Sequence, residues 1–434
     1  MSEVGIQVIE VPWRAPVEML AAFADEPFAF GLMGGEDGWS YVGRSPAQTL
    51  SLPVGSDAAG ALRTLRGPPF DVPDGAPPFV GGVVGLAAYE LCAVVEPSTR
   101  QARTAWPDVI AARYEAILAF DGAARRCFAV GLRAQDALAW LEAPSAPPPH
   151  IGGPLAASFV DLTGEQAYAA AVAQVVTAIE RGDLFQANIA RRWVGELARG
   201  AAPFDVFRRL TLDSAAPFAA YLRPPGRAVV SNSPERFLQA SADGLVRTQP
   251  IKGTRPRGAT PQQDTALAAE LLASDKDRAE NRMIVELMRN DLARACIPGS
   301  VTVEAEFALE SYANVHHLVS TVAGRLARGY DALDLFVSAF PPGSVTGAPK
   351  VQAMLEIAKH EPPRGPYCGS MFWAGSDGAF DSSVLIRTVA FEEAPDGWRF
   401  EARAGAGIVA NSDPLSEAAE AQVKLAALRR ALTT

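Results

Sequence analysis

A chain of 434 residues with 49% apolar and 20% charged residues can bury a substantial core, which excludes a disordered chain; its length suits two or three domains or one large β-rich unit. The formal net charge of −10 lacks the basic excess that counterion-driven nucleic-acid binding requires, so no nucleic-acid partner is expected and an anionic substrate must meet locally placed cations. Cys92, Cys127, Cys296 and Cys368 show no CxxC spacing, which suggests neither a disulfide framework nor a zinc site and fits a reducing compartment. The opening MSEVGIQVIEVPWRAP has acidic residues and no long apolar run, so it reads as neither a signal peptide nor a membrane span, and the cytoplasm is the default location.

In chain order, PPFVGGVVGLAAYEL reads as a strand with closely approached backbone, its glycines serving sheet packing. The proline- and glycine-rich APSAPPPHIGGP cannot hold a helix or a central strand. It marks a connection over 143–157 between an N-terminal region, 1–142, and a catalytic region, 158–434. After it, EQAYAAAVAQVVTAIER over 165–181 has helical apolar spacing with Gly182 as its cap. Strands are expected over 185–194, 228–232, 245–248, 301–303, 318–323, 383–391 and 399–404, and helices over 275–295, 350–359 and 416–432. No short fixed period repeats, which argues against solenoids and propellers.

Within helix 275–295, Asp277 and Glu280 lie three residues apart and share one face. Glu417 and Glu420 repeat that spacing near the C-terminus. Brought together, the two pairs would make an oxygen-only site suited to Mg²⁺, although either alone is also the pattern of a solvated helix face. In TQPIKGTRPRG a strand ending at Pro250 is expected to deliver Lys252 into a loop containing Gly253, Thr254, Arg255 and Arg257, where backbone amides and cations could hold an anion. FPPGSVTGAPK supplies a second glycine turn before a helix, and lacks the GxxxxGK[ST] order of a nucleotide-binding loop. His316 and His317 precede a strand-like run without HExxH spacing. Tyr367 sits by a glycine turn, and Arg387 reads as a strand arginine that needs an anion, from protein or ligand.

The blocks GDLFQANIARR, SNSPERF, PIKGTRPRG, DRAENRMIVELMRNDLAR, VHHLVST, FPPGSVTGAPK, YCGSMFW, DSSVLIRT and GAGIVANSDPLSEAAE resemble, in order, those of the chorismate-utilising enzymes from about residue 160 onward. The resemblance implies an α/β (α+β) fold like that of the anthranilate synthase large subunit: large antiparallel sheets forming a sandwich flanked by helices, with the site in the cleft between its halves. It implies Glu280 and Glu420 as direct Mg²⁺ ligands, with Asp277 and Glu417 holding metal-bound waters. Tyr367, Arg387 and the backbone of Gly405, Ala406 and Gly407 would take the ring carboxylate region of chorismate, with Thr346 and Lys350 in the neighbouring binding turn. Gln186, Gly253 and Thr254 complete the implied substrate set. Glu235 matches the general acid, and His317 the histidine beside the reacting ring.

Within that family the aminodeoxychorismate synthases resemble this chain in reading PIKGT, where anthranilate synthases read PIAGT. A lysine whose pKa is lowered by Arg255, Arg257 and desolvation could attack ring carbon 2, the carbon 4 hydroxyl leaving as Glu235 protonates it and ammonia then entering at carbon 4. Gln186 stands where isochorismate and salicylate synthases carry a water-activating lysine, which places those activities lower. Anthranilate synthase component I is the nearest alternative, and a catalytically inactive regulatory subunit is one of another class. FGLMGGEDGWSYVG departs from the LLES-type run of tryptophan-inhibited anthranilate enzymes, so tight tryptophan control is not expected. With no glutaminase or lyase segment in view, the resemblance implies a separate glutamine amidotransferase subunit supplying ammonia and a downstream aminodeoxychorismate lyase, serving 4-aminobenzoate and folate synthesis.

Overall fold

A computed structural model describes residues 5–35, 37–100, 106–142, 152–214, 216–312 and 315–434. Most of the proline- and glycine-rich connection, residues 143–151, lies outside the described residues. Two large sheets dominate, one of twelve strands and one of ten, and their ladders run antiparallel. The strands alternate in side-chain direction, so each sheet offers one face to the other sheet and one to helices. Phe30, Tyr41, Phe79, Ile110, Tyr114 and Trp373 fill the space between the sheets. Tyr168, Val172, Phe207 and Leu425 bring helices onto the outer face of the larger sheet, while Ile284, Met288 and Phe336 do the same for the smaller one. The arrangement is the helix-flanked antiparallel sandwich expected from the sequence.

Both sheets draw strands from either side of the connection. In the larger sheet Phe30–Met33 pairs with Phe218–Leu222, and in the smaller Gly82–Ala87 pairs with Ser370–Gly375. The helices Glu165–Glu180, Asp275–Ala293, Lys350–His360 and Pro414–Thr433 and the strand Leu245–Thr248 lie where the periodicity places them. Three expectations need correction. The single strand expected over 383–391 is two, Phe380–Val384 and Thr388–Ala394, broken where Arg387 takes a left-handed φ of 51°, outside the extended region of regular strands. Lys252 lies within a strand, Ile251–Pro256, that pairs with Val315–Arg325, not in a loop. His316 and His317 belong to that second strand rather than preceding it.

Candidate active site

Two neighbouring pieces of sheet build the site. In the larger sheet Gln186–Leu197 pairs with Gly397–Ile408, setting Asn188 opposite Gly407 and Ala190 opposite Gly405. Gln186 itself pairs with Ala348 of the short strand after the Gly343–Val345 turn. In the smaller sheet the register sets Thr254 opposite His317, and the Thr254 hydroxyl meets His317 Nδ1 at 2.9 Å. The sheets meet at Lys252: a Cβ built on Gly407 would stand 2.7 Å from Gln186 Nε2 and 3.1 Å from Lys252 Nζ. Gly253 permits this approach in two ways. Its φ of +89° suits glycine, and a side chain there would stand 3.0 Å from Asp277 Cβ.

Glu235, buried in the turn before the strand Arg236–Ala240, lies in the field of Lys252 and Arg387, with Ser344 close to its carboxyl. Burial outweighs these partners and pushes its carboxyl up to about 7, so it can hold and release a proton near neutrality. Burial also lowers the Lys252 ammonium, with Lys424 adding like-charge repulsion, against the attraction of Glu280, Glu235 and Glu420. His317 is buried, and burial followed by the charges of Arg387 and His316 brings it down to about 4; at neutral pH it is an uncharged imidazole. Its Nε2 and both polar atoms of the Gln186 amide are buried without a protein partner among the described residues. Such groups are costly to leave unmet, and here they supply hydrogen-bonding capacity for a ligand.

The carboxylate pairs come from two helices with well-formed N-termini. Ser274 caps the first by accepting from the Asp277 amide, and Asp413 caps the second from the Ser416 amide. Across the cleft, Lys276 on the first helix acts on Glu417 and Glu420 of the second. Glu417 is raised by burial and by the neighbouring Glu420 charge, with Ser412 donating to it at 2.7 Å. Among the described residues no three carboxylate, imidazole or thiol groups converge into a finished metal site. Three of the four carboxylates instead meet a cation: Glu420 meets Lys424 at 2.7 Å, Glu280 meets Lys276 at 3.9 Å, and Asp277 meets Arg255 at 3.1 Å. In its chemistry the donor set, oxygen-only and drawing positive charge to itself, fits a hard divalent ion.

The remaining expected residues have partners of their own. Arg255 pairs with Glu270 and Asp277, and Arg257 with Asp264, so these guanidiniums are committed to protein carboxylates. Neither is among the leading influences on Lys252, which corrects the expectation that they depress it. Lys350 is pinned by Asp291 at 2.6 Å and by the Ala339 carbonyl at 2.8 Å. Thr346 is fully buried, its hydroxyl donating to the Pro342 carbonyl and its own carbonyl accepting from the Asn188 amide. Tyr367 is buried near the Arg364 guanidinium, 5.8 Å from its ring. Ser344 and Lys424, whose ammonium also donates to the Gly405 carbonyl at 2.9 Å, were not singled out from the sequence. Ser344 lies inside a quoted block, and Lys424 follows Glu420 by one helical turn. A separate cavity of about 760 Å³ opens beside the cluster, lined by Trp39, Tyr41, Phe218, Arg236 and Trp373.

A buried carboxylic acid, a desolvated amine and a buried imidazole, with Arg387 acting on both the acid and the imidazole, suit acid–base chemistry. The sequence model of the chorismate binding enzymes matches residues 26–430, and the chain belongs to that family; it is a chorismate-utilising enzyme. It is 41% identical over 349 residues to aminodeoxychorismate synthase component 1 of Klebsiella aerogenes, covering 78% of this chain and 74% of that protein. It is 38% identical over 428 residues to anthranilate synthase component 1 of Streptomyces coelicolor, covering 92% and 82%. The solved anthranilate synthase component I from Streptococcus pneumoniae has the same fold, with a TM-score of 0.78 at 25% identity, covering 90% of this chain and 92% of that one.

Proposed function

We propose that the chain is the large subunit of an aminodeoxychorismate synthase, converting chorismate and ammonia to 4-amino-4-deoxychorismate on the route to 4-aminobenzoate and folate. The observation that carries this reading is the Lys252 amine, desolvated beside Gln186 and Gly407 and within the field of Glu235. The neutral amine attacks ring carbon 2, the ring double bonds shift, and the carbon 4 hydroxyl leaves as water with the proton held by Glu235. Ammonia then adds at carbon 4 as the double bonds shift back and lysine departs from carbon 2 as the neutral amine; the new carbon 4 ammonium gives one proton to the Glu235 carboxylate, so enzyme and acid return to their starting forms. Arg387 and the backbone of Gly405 to Gly407 orient the ring carboxylate, with Thr254 and Tyr367 at its margins. His317, held by Thr254 and uncharged, offers a polar contact beside the ring. Gln186 has no titratable proton, so it cannot activate water as a base.

Glu280 and Glu420, with Asp277 and Glu417 through water, would hold Mg²⁺, which when bound supplies positive charge for the substrate carboxylate. We infer a separate glutamine amidotransferase subunit as the ammonia source and a downstream aminodeoxychorismate lyase that releases pyruvate. No helix among the described residues is long and apolar enough to cross a membrane, and a cytoplasmic setting suits the four free cysteines. A second reading, anthranilate synthase component I, is favoured by the likeness to the Streptomyces coelicolor protein across 92% of this chain. A catalytically inactive subunit is disfavoured by the joint presence of Lys252, Glu235, His317, Glu280 and Glu420.

Trapping tests the proposal. With chorismate and Mg²⁺ but no ammonia, part of the protein should gain the mass of chorismate less one water, on the peptide containing PIKGTRPRG. The rate of trapping should fall above about pH 7, where Glu235 loses its proton. Lys252→Ala should abolish the adduct; an adduct that persists in that variant, or none in the wild type, removes lysine from the mechanism.

A further inference from the structure

Helix Asp275–Ala293 carries Asp277, Glu280 and, next in the chain, Asn281, which is fully buried. An asparagine in mid-helix favours neither the helix nor burial: it is a poor helix former, and an enclosed amide is costly unless its polar atoms are met. Here they are met. The Asn281 Nδ2 donates to the Leu318 carbonyl at 3.3 Å, and its Oδ1 accepts from the Ser320 hydroxyl at 2.6 Å. Both partners belong to the strand Val315–Arg325, in which Leu318 directly follows His317.

Ser320 extends the connection. Its hydroxyl accepts from the Phe307 amide at 3.1 Å, and its own amide donates to the carbonyl of Pro250, two residues before Lys252, at 3.3 Å. Phe307 lies in the neighbouring strand Thr302–Ser311, where the register slips between Ala305 and Ala308 and Phe307 takes a left-handed φ of 55°. Such a bulge disrupts the ladder, and the Ser320 hydroxyl meets the Phe307 amide there. The helix reaches the same bulge by a second route, since Arg278 and Arg282 lie over the Phe307 ring at 4.9 and 5.4 Å. Apolar contacts such as those of Ile284 and Met288 hold the helix on the sheet but are non-directional, so they tolerate rotation and sliding. An amide joined to a carbonyl and a hydroxyl on alternate residues of one strand is directional, and it fixes both the rotation of the helix and its height over that strand. A slip of one position would turn Glu280 by about 100° and move it by about 1.5 Å.

We infer that Asn281 is a positioning residue for the carboxylates that would hold Mg²⁺, setting Asp277 and Glu280 at a fixed height and rotation against the strand of His317 and the approach to Lys252. It binds neither metal nor substrate and acts through its helix. The inference rests on the reading of Glu280 and Glu420 as Mg²⁺ ligands, and its test separates the two.

The test titrates Mg²⁺ alone, by calorimetry, into the wild type, Asn281→Leu, Ser320→Ala, the double variant and Glu280→Gln, with thermal melts taken without metal. Leucine fills a similar space without hydrogen bonds, so Asn281→Leu should stay folded while its Mg²⁺ dissociation constant rises about tenfold or more, as loss of a group that orients a metal ligand does. Ser320→Ala removes one of the two bonds and should raise the constant by less. The double variant should match Asn281→Leu, because Ser320 acts on the helix through Asn281. The Mg²⁺ concentration that half-saturates chorismate trapping should rise in step while the rate at saturating Mg²⁺ is largely kept, a split that lost stability alone does not produce. Should Asn281→Leu fail to fold, Ser320→Ala carries the test. Wild-type Mg²⁺ affinity in Asn281→Leu, or in Ser320→Ala where it stands in, with only the melting temperature lowered, would make the network a structural tie and overturn the inference. If instead Glu280→Gln takes up Mg²⁺ as the wild type does, or the wild type takes up none, the metal reading falls first and the role of Asn281 with it.

Discussion

Gly407→Ala is a small change with a computable consequence. The added methyl would stand 2.7 Å from Gln186 Nε2 and 3.1 Å from Lys252 Nζ, whereas ordinary contact starts at 3.4 Å. The amide must therefore give by about 0.7 Å and the amine by about 0.3 Å. Both obstacles are ends of flexible side chains, so overpacking should cost no more than about 1 kcal/mol, at the low end of its usual range. Catalysis is less forgiving, since displacement of a nucleophile by a fraction of an ångström to 1 Å lowers the rate by up to roughly a hundredfold. Gly405→Ala is the contrast: its methyl would stand 2.0 Å from the Ile189 carbonyl oxygen, a backbone atom that cannot rotate away, and the expected loss is about 3 kcal/mol or more. Thermal melts and chorismate-trapping rates on both variants measure the two effects. Gly407→Ala should melt close to the wild type and trap chorismate at least about tenfold more slowly. Trapping at the wild-type rate would refute the placement of Lys252 beside Gly407, and a collapse in stability would refute the view that only side-chain ends are in the way.

Glu280→Gln and Glu420→Gln should each lower turnover by about 10²–10³-fold while the protein remains folded, as loss of an electrostatic stabiliser does. A chelator should act likewise on the wild type, reversibly on adding Mg²⁺; full turnover by either variant or by chelated enzyme would contradict the metal assignment. The purified chain should use ammonium salts at raised pH, where more ammonia is free base. It should use glutamine only after a glutaminase subunit is added, and efficient glutamine use by this chain alone would sink the claim of a separate ammonia source.

The sequence is most readable where chemistry and periodicity coincide. The carboxylate pairs Asp277/Glu280 and Glu417/Glu420 follow from three-residue spacing, and their helices lie where their caps place them. Lys252 could be named from its block, but the cause of its depressed pKa could not. Local sequence offers Arg255 and Arg257, whereas the fold gives those side chains to Asp277, Glu270 and Asp264 and brings burial and Lys424 to the amine. Arg387 looks like a strand residue because its neighbours are apolar and β-branched; its left-handed φ is imposed by tertiary packing that propensity does not encode. Lys350 is a similar case, since its partner Asp291 is 59 positions away. Sheet order is the least legible feature, because pairings such as Gly82–Ala87 with Ser370–Gly375 span most of the chain.

The central claim, amination of chorismate at carbon 4 through Lys252, is tested most directly by identifying the product formed from chorismate, Mg²⁺ and ammonium by this chain with no lyase present. The account predicts 4-amino-4-deoxychorismate with its enolpyruvyl group retained, and release of 4-aminobenzoate and pyruvate only when an aminodeoxychorismate lyase is added. Fluorescent 2-aminobenzoate and pyruvate appearing without that lyase would make the chain an anthranilate synthase and contradict the role given to Lys252.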